Sequence, residues 1–470
     1  MRQIHRLPVL AAACCLALAA ASLAIAHEPV YDAWAWLVWG RELAGFELDT
    51  SSGPSWKPLP VALTTLLSLA GDAAPALWLV LVRAAWLFSL VLAWRLAHQL
   101  TAGLAPRLRI AAGAFAALTL LLLADDVTMW ARQGAAGMSE PLLVALVLGA
   151  VAAALDGRDR TAFALGALAA LLRPEVWPLL GAYGLWLWPA RPALRATIAA
   201  LAIAVAALWI VPGLLVGGDT ASAGERARRG TGTPLGAGAE ALGRALLMAL
   251  ALAWPLAAAA VVRTRDRALL ALATGALAWI AIVAAMAVAG FPGLPRYMAP
   301  ALAIVAVLAG VGLAHVLTAA PNSRGLRVLA LALLALTLAQ LPGRAAELPR
   351  AMSVTARIAR SHDRLSELTQ SVGRERLLRC GKLATSDVLV RTALAWELGV
   401  ELSRVVSFGA PPSASGAFVI GPQSSPLVRA FMLGHAELLG RRGEWSVYSL
   451  ACPRAAAASA SSTGVSGARW

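Results

Sequence analysis

The chain has 470 residues, 60% of them hydrophobic and only 14% charged, with a mean hydropathy of +0.72. That composition excludes the soluble globular classes and points to a polytopic membrane protein. The net charge of +15 is almost all arginine, set in short clusters between apolar runs. This is the positive-inside pattern of membrane proteins, not a nucleic-acid face, so no nucleic acid is expected as a partner.

The first segment, residues 1–26, is basic up to Arg6 and then apolar to Ala26. Small residues near Ala24 and Ala26 would permit cleavage as a signal peptide, but the run is long enough to span and many spans follow. We read it as an uncleaved first helix. The stretch from His27 to Pro60 comes next, carrying Glu28, Asp32, Glu42, Glu47, Asp49 and Lys57 beside Trp34, Trp36, Trp39 and Trp56. Tryptophan suits the membrane–water boundary, so we expect a loop folded onto the membrane surface. The segment 58–71 is too short to span and is expected to lie in the interface.

Apolar segments of spanning length, or close to it, follow at 74–98, 108–124, 139–155, 161–172, 176–188, 196–216, 245–262, 268–289, 297–318 and 328–342. With residues 8–26 they make about eleven spans. Segments 161–172 and 176–188 are short and broken by Pro174 and Pro178, so they read as two short helices or a broken pair. With a cytoplasmic N-terminus, each inside loop is basic, from Arg2 and Arg6 to Arg324 and Arg327. Every glutamate before residue 347 then falls outside. The loop 217–244, with Arg226, Arg228 and Arg229, reads as a lid or a linker.

After Leu341 the character changes, and residues 343–470 are mixed and polar with no spanning run. A helix over 351–379 is expected, then a strand at 382–385, a helix at 387–398, strands near 405–408 and 417–420, a helix at 426–439 and a strand at 445–450. The expected organisation is a transmembrane domain at 1–345 with its outer loop 27–60, an extracytoplasmic α/β domain at 346–453 and a disordered tail at 454–470. Cys380 and Cys452 flank the small domain, and in an oxidising compartment they are expected to pair. Cys14 and Cys15 are small apolar residues of the first helix.

Four polar groups converge on the expected outer face: Glu28 and Asp32; Ser139-Glu140-Pro141; Arg173-Pro174-Glu175; and Arg296-Tyr297. Ionisable residues at span ends often only snorkel. Acids and arginines at one depth on separate helices point instead to a site. A carboxylate with several cations at a membrane surface suits group transfer from a lipid phosphate. The cations bind the phosphate as leaving group and the carboxylate takes a proton from the acceptor hydroxyl.

The order of these motifs resembles the GT-C superfamily of polyprenyl-phosphate-sugar glycosyltransferases, above all its protein O-mannosyltransferase and aminoarabinose-transferase branch. Asp32 follows the first span, Lys57-Pro58-Leu59-Pro60 precedes an interfacial helix ending at Gly71, and Ser139-Glu140-Pro141-Leu142 opens a later span. Leu172-Arg173-Pro174-Glu175 and Arg296-Tyr297-Met298-Ala299-Pro300 resemble the family's basic positions near the lipid phosphate.

The resemblance implies a mainly α, GT-C-like membrane bundle that takes a polyprenyl-phosphate sugar as donor and a glycan, lipid or protein as acceptor. It implies Asp32 and Glu140 as catalytic acids and Lys57, Arg173, Arg296 and Tyr297 at the donor phosphate, with Glu28 and Glu175 as secondary acids. The chain departs from the family in having Ala33 after Asp32 and Lys-Pro-Leu-Pro in place of Lys-Pro-Pro-Leu. No Asp-x-Asp surrounds Asp32, so no metal or other cofactor is expected, with Asp125-Asp126 leaving the metal question open. Two other readings are a non-catalytic relative acting in envelope assembly and a transporter. A transporter would place ionisable groups at mid-membrane, where the sequence offers Arg83 alone.

Overall fold

A computed structural model of the chain describes residues 6–122, 130–215, 236–240, 243, 250–318, 324–379, 381–412 and 415–451. Contacts divide the protein into two units. The first is Met1–Ala359 together with Glu401–Ser403, and the second is Arg360–Val400 with Arg404–Trp470. Asp125 and Asp126, most of the 217–244 loop, both Cys380 and Cys452, and the 454–470 tail lie outside the described residues.

The first unit is helical. Its elements are α1 (Arg6–Ala21), α2 (Tyr31–Ala44), α3 (Pro58–Leu67), α4 (Ala74–Leu100), α5 (Pro106–Leu121), α6 (Trp130–Ala135), α7 (Glu140–Leu155), α8 (Asp159–Ala170), α9 (Trp177–Ala190) and α10 (Arg195–Leu215). After these come α11 (Leu250–Thr264), α12 (Arg267–Val288), α13 (Ala299–Leu317) and α14 (Arg324–Ala339). Helices lie under all eleven expected segments. Among the described residues, five stretches are long and apolar enough to cross a membrane: Pro58–Leu100, Pro192–Leu215, Arg267–Val288, Pro295–Leu317 and Arg327–Val372. The proline-broken segment resolves into α8 and α9, joined by a short 3-10 turn at Pro174–Val176.

Helix α13 is the axis of the bundle and is buried along nearly its whole length. Its small residues allow this. A Cβ on Gly310 would run into the carbonyl oxygen of Ala112, and one on Gly312 into that of Leu256. Helices α5 and α11 therefore touch α13 backbone to backbone, the close packing that glycine permits between apolar helices.

Three of the four tryptophans of the 27–60 stretch are packed inside the protein. Trp34, Trp36 and Trp39 are 7%, 0% and 0% exposed. Trp36 meets Trp78 edge-on, with ring centroids 5.7 Å apart. The cause is the close pairing of α2 and α3: the Thr64 hydroxyl donates to the Trp36 carbonyl at 2.6 Å, and Gly40 leaves no room for a side chain against Thr64. Arg83 is also settled by packing. Its guanidinium donates to the Ser22 carbonyl and hydroxyl and to the Ala135 carbonyl, so it ties the end of α1 to the chain ahead of α7.

In the second unit, the end of α15 (Leu341–Val372) and three shorter helices, α16 (Arg374–Leu378), α17 (Arg391–Glu397) and α18 (Pro426–His435), accompany a five-stranded sheet. Its strands, β1 (Leu383–Thr385), β2 (Val405–Ser407), β3 (Gly416–Ile420), β4 (Glu437–Arg442) and β5 (Trp445–Leu450), lie in the order β2-β1-β3-β5-β4. β1 runs parallel to both neighbours, and β5 runs antiparallel to β3 and β4. The expected helix through residue 439 stops at His435, and β4 takes over. Gly443 at φ +56 makes the tight turn that folds β4 onto β5, and the ladder outweighs the helical pattern of Leu438 and Leu439.

Candidate active site

Local folding places each charged group before any two of them meet. Asp32 lies in the first turn of α2, where the helix dipole favours a negative charge. Lys57 precedes α3 in an extended conformation, and Pro58 begins the helix as proline does at a first helical position. The approach to Glu140 is pinned at three successive carbonyls. Arg83 binds that of Ala135, the Val30 N–H binds that of Ala136, and the Trp78 indole binds that of Gly137. Gly137 has φ +79, a conformation that glycine takes without strain. Arg173 is extended between α8 and the 3-10 turn. Arg296 and Tyr297 sit in the 3-10 turn Pro295–Met298, fixed by the Trp279 indole donating to the Tyr297 carbonyl at 2.8 Å.

These segments converge. The Arg173 guanidinium donates to Glu140 and to Glu175, each at 2.9 Å, and its central carbon lies 3.4 Å from the Tyr297 ring centroid. Arg296 Nε approaches the same Glu140 oxygen at 3.4 Å. Lys57 Nζ donates to the Ser139 hydroxyl at 2.8 Å and lies 4.9 Å from the Trp36 ring centroid. Glu140, Glu175, Arg173 and Lys57 are all buried, whereas the Arg296 side chain is 28% exposed.

A cavity of about 580 Å³ opens beside this network. Its lining includes Asp32, Lys57, Arg173, Glu175, Arg296 and Tyr297, and the size is that of a small-molecule site. Of the two expected catalytic acids only Asp32 lines it. Glu140 is fully buried beneath the arginines. Glu28 stands apart from the cavity, and its carboxylate accepts the indole N–H of Trp34 at 2.8 Å. Among the described residues no hydrogen bond reaches the Asp32 carboxylate.

The network has spare hydrogen-bonding capacity. Glu140 Oε2, Glu175 Oε2, Arg173 Nε and Arg296 Nε are buried without a hydrogen-bond partner. Charge-assisted groups left open in this way are costly, and they collect at functional sites.

Sequence reasoning missed the aromatic wall. Trp177 and Trp209 line the cavity, with ring centroids 6.2 Å apart and both indoles donating to the Ala170 carbonyl. Trp56 joins them there, its own indole donating to the Leu208 carbonyl. Trp209 lies in an apolar run, where nothing in the pattern separates it from a lipid-facing residue. Among the described residues no three His, Cys, Asp or Glu side chains gather as a metal site would require.

No protein-family model and no curated protein matches the chain. Solved structures do. The crystal structure of ArnT from Cupriavidus metallidurans bound to undecaprenyl phosphate superposes with a TM-score of 0.57 at 16% identity, covering 94% of this chain and 97% of that one. The apo form of the same protein gives a TM-score of 0.56 over the same shares at the same identity. The chain has an ArnT-like fold over nearly its whole length.

Proposed function

We propose that the protein is an integral membrane glycosyltransferase that moves a sugar from a polyprenyl-phosphate donor to an envelope acceptor at the extracytoplasmic face. The observation that carries this is the Asp32 carboxylate, without a hydrogen bond from any described residue, lining the same cavity as Lys57, Arg173 and Arg296. The ArnT structure, with its bound undecaprenyl phosphate, supports the same class of donor.

In this reading the acceptor oxygen attacks the anomeric carbon as the bond from that carbon to the phosphate oxygen breaks. Asp32 takes the acceptor proton, and the polyprenyl phosphate leaves with the bond's electrons. A direct displacement inverts the anomeric centre. Arg296 and Lys57 meet the phosphate charge as it develops. Glu140 and Tyr297 hold the two arginines at the cavity, and Trp56, Trp177 and Trp209 offer faces for the sugar or the first isoprene units. The N-terminus is cytoplasmic and the second unit extracytoplasmic.

Mass spectrometry of lipid-linked sugars in a deletion strain tests this. An accumulated polyprenyl-phosphate sugar, with loss of the same sugar from an envelope glycan, lipid or protein, is the expected result. An unchanged pool of lipid-linked sugars sinks it. Alkaline phosphatase fused after Arg350 is expected to be active and fused after Arg160 to be inactive, and the opposite pattern reverses the orientation.

A further inference from the structure

Glu42 has no part in the reaction just described, yet it is only 5% exposed and is bound on both oxygens. Oε2 accepts the Asp49 N–H at 3.1 Å, and Oε1 accepts the Leu402 N–H at 3.0 Å. Leu402 belongs to the short Glu401–Ser403 segment that packs within the first unit. The contact continues toward the cavity. Gly53 has φ +110, and a Cβ there would lie 2.6 Å from Leu402 Cδ2 and 2.8 Å from the Trp39 ring. Trp39 in turn donates to the Asp49 carbonyl at 3.1 Å. Gly53 opens the run Gly53–Lys57, every residue of which lines the cavity.

We propose that Glu42 is a positioning residue for the donor cavity, its carboxylate holding the Asp49 and Leu402 N–H groups and so setting the wall Gly53–Lys57. The inference rests on the donor reading given above. Only the ionised group does this fully. A protonated carboxyl turns one oxygen into a donor, and that donor then faces an N–H.

Burial raises the Glu42 pKa to about 7, against the pull of the two N–H groups, with the Asp49 charge raising it and Arg41 lowering it. The other acids on the packed segments are Glu47, whose N–H binds the Glu42 carbonyl, and Glu401, whose carboxylate accepts the Ser403 hydroxyl. That raised value means the closed arrangement holds a proton more tightly than an opened, solvated one, so a fall in pH through about 7 does not by itself open the clamp.

The test uses the full chain in nanodiscs, with undecaprenyl phosphate as probe. Amide exchange over residues 46–57 at pH 8, corrected for intrinsic rates, is expected to be about ten-fold faster in Glu42→Gln than in the parent. Affinity for undecaprenyl phosphate at pH 8 should fall about ten-fold in Glu42→Gln, the loss of one charge-assisted bond. Glu42→Asp, shorter but charged, should exchange more slowly than Glu42→Gln, which guards against a simple loss of folding.

Equal exchange in the parent and Glu42→Gln at pH 8 overturns the clamp. Faster exchange with unchanged affinity overturns its role in positioning the wall. A parent that binds no undecaprenyl phosphate but shows the expected exchange removes the donor reading and leaves the clamp supported.

Discussion

Helix α7 joins two clusters of charge that look alike in sequence and differ in kind. Glu140 begins the helix at the cavity, and Asp156 follows its last residue at the other end. Asp156 is satisfied on both oxygens, by Gln99 at 2.9 Å on one and by Arg95 at 2.7 Å and Arg158 at 2.9 Å on the other. Its neighbour Asp159 is equally complete, with Tyr183 at 3.1 Å and Arg191 at 2.7 Å. These groups close on one another near the surface. At the cavity end, Glu140 offers one oxygen to two arginines and leaves the other without a hydrogen bond. The difference teaches that open hydrogen-bonding capacity beside a cavity, and not ion pairs alone, singles out the end at which we propose the reaction.

The sharpest way to break this comparison is Asp32→Asn. It keeps shape and removes the base, so transfer is expected to fall by roughly 10²–10⁴ with donor binding nearly intact. Parental turnover in a correctly inserted Asp32→Asn protein would remove Asp32 from the mechanism. Glu140→Gln comes next. It leaves the buried Arg173 with one carboxylate partner in place of two, and breaking a buried ion pair costs about 3–5 kcal/mol. A large drop in the thermal midpoint is expected, and an unchanged midpoint would show that Glu140 does not anchor the network.

Arg296→Ala tests the partly exposed member of the same end. Its loss should weaken affinity for undecaprenyl phosphate by about 1.5–3 kcal/mol, one charge-assisted hydrogen bond, with little change in stability. Direct binding to the purified protein checks this. A parental dissociation constant would leave Lys57 as the cation to examine.

How far the sequence carried the reading differs between these parts. Apolar runs announce their helices because nothing but a helix satisfies the backbone in lipid, so the order of the elements was legible. So were Asp32, Lys57, Arg173 and Arg296, because charges between apolar runs stand out. Their depths were not. Glu140 and Asp32 look equivalent in the sequence, and only packing shows one buried under the arginines and the other on the cavity wall. The tryptophans of α2 read as interfacial because composition does not reveal that α3 covers them. Strand β4 was hidden because Leu438 and Leu439 fit a helix until the pairing with β5 is known. Glu42 carries no motif at all. Its partners Asp49 and Leu402 are backbone N–H groups, one of them 360 residues distant in the chain.

Asp156→Asn carries the smallest expected effect, and it bears most directly on the comparison. Burial raises the pKa of Asp156, but the hydrogen bond from Gln99 and the charges of Arg95 and Arg158 outweigh it, and the net shift is downward. A lowered carboxyl pKa gives stability that is present above the unfolded value of ~4 and is lost as pH falls through the folded value. The Asp156 side chain is 23% exposed and its arginine partners are 34% and 51% exposed, so solvent screens the pair. The contribution is about 0–1 kcal/mol at neutral pH. Asp156→Asn is therefore expected to shift the thermal midpoint slightly at pH 7 and to converge with the parent only as pH falls below the lowered folded value, with undecaprenyl phosphate binding unaltered. If donor binding instead falls as far as in Arg296→Ala, the two ends of α7 are coupled. The closed cluster would then belong to the site, and the distinction between satisfied and open charge would fail as a guide in this bundle.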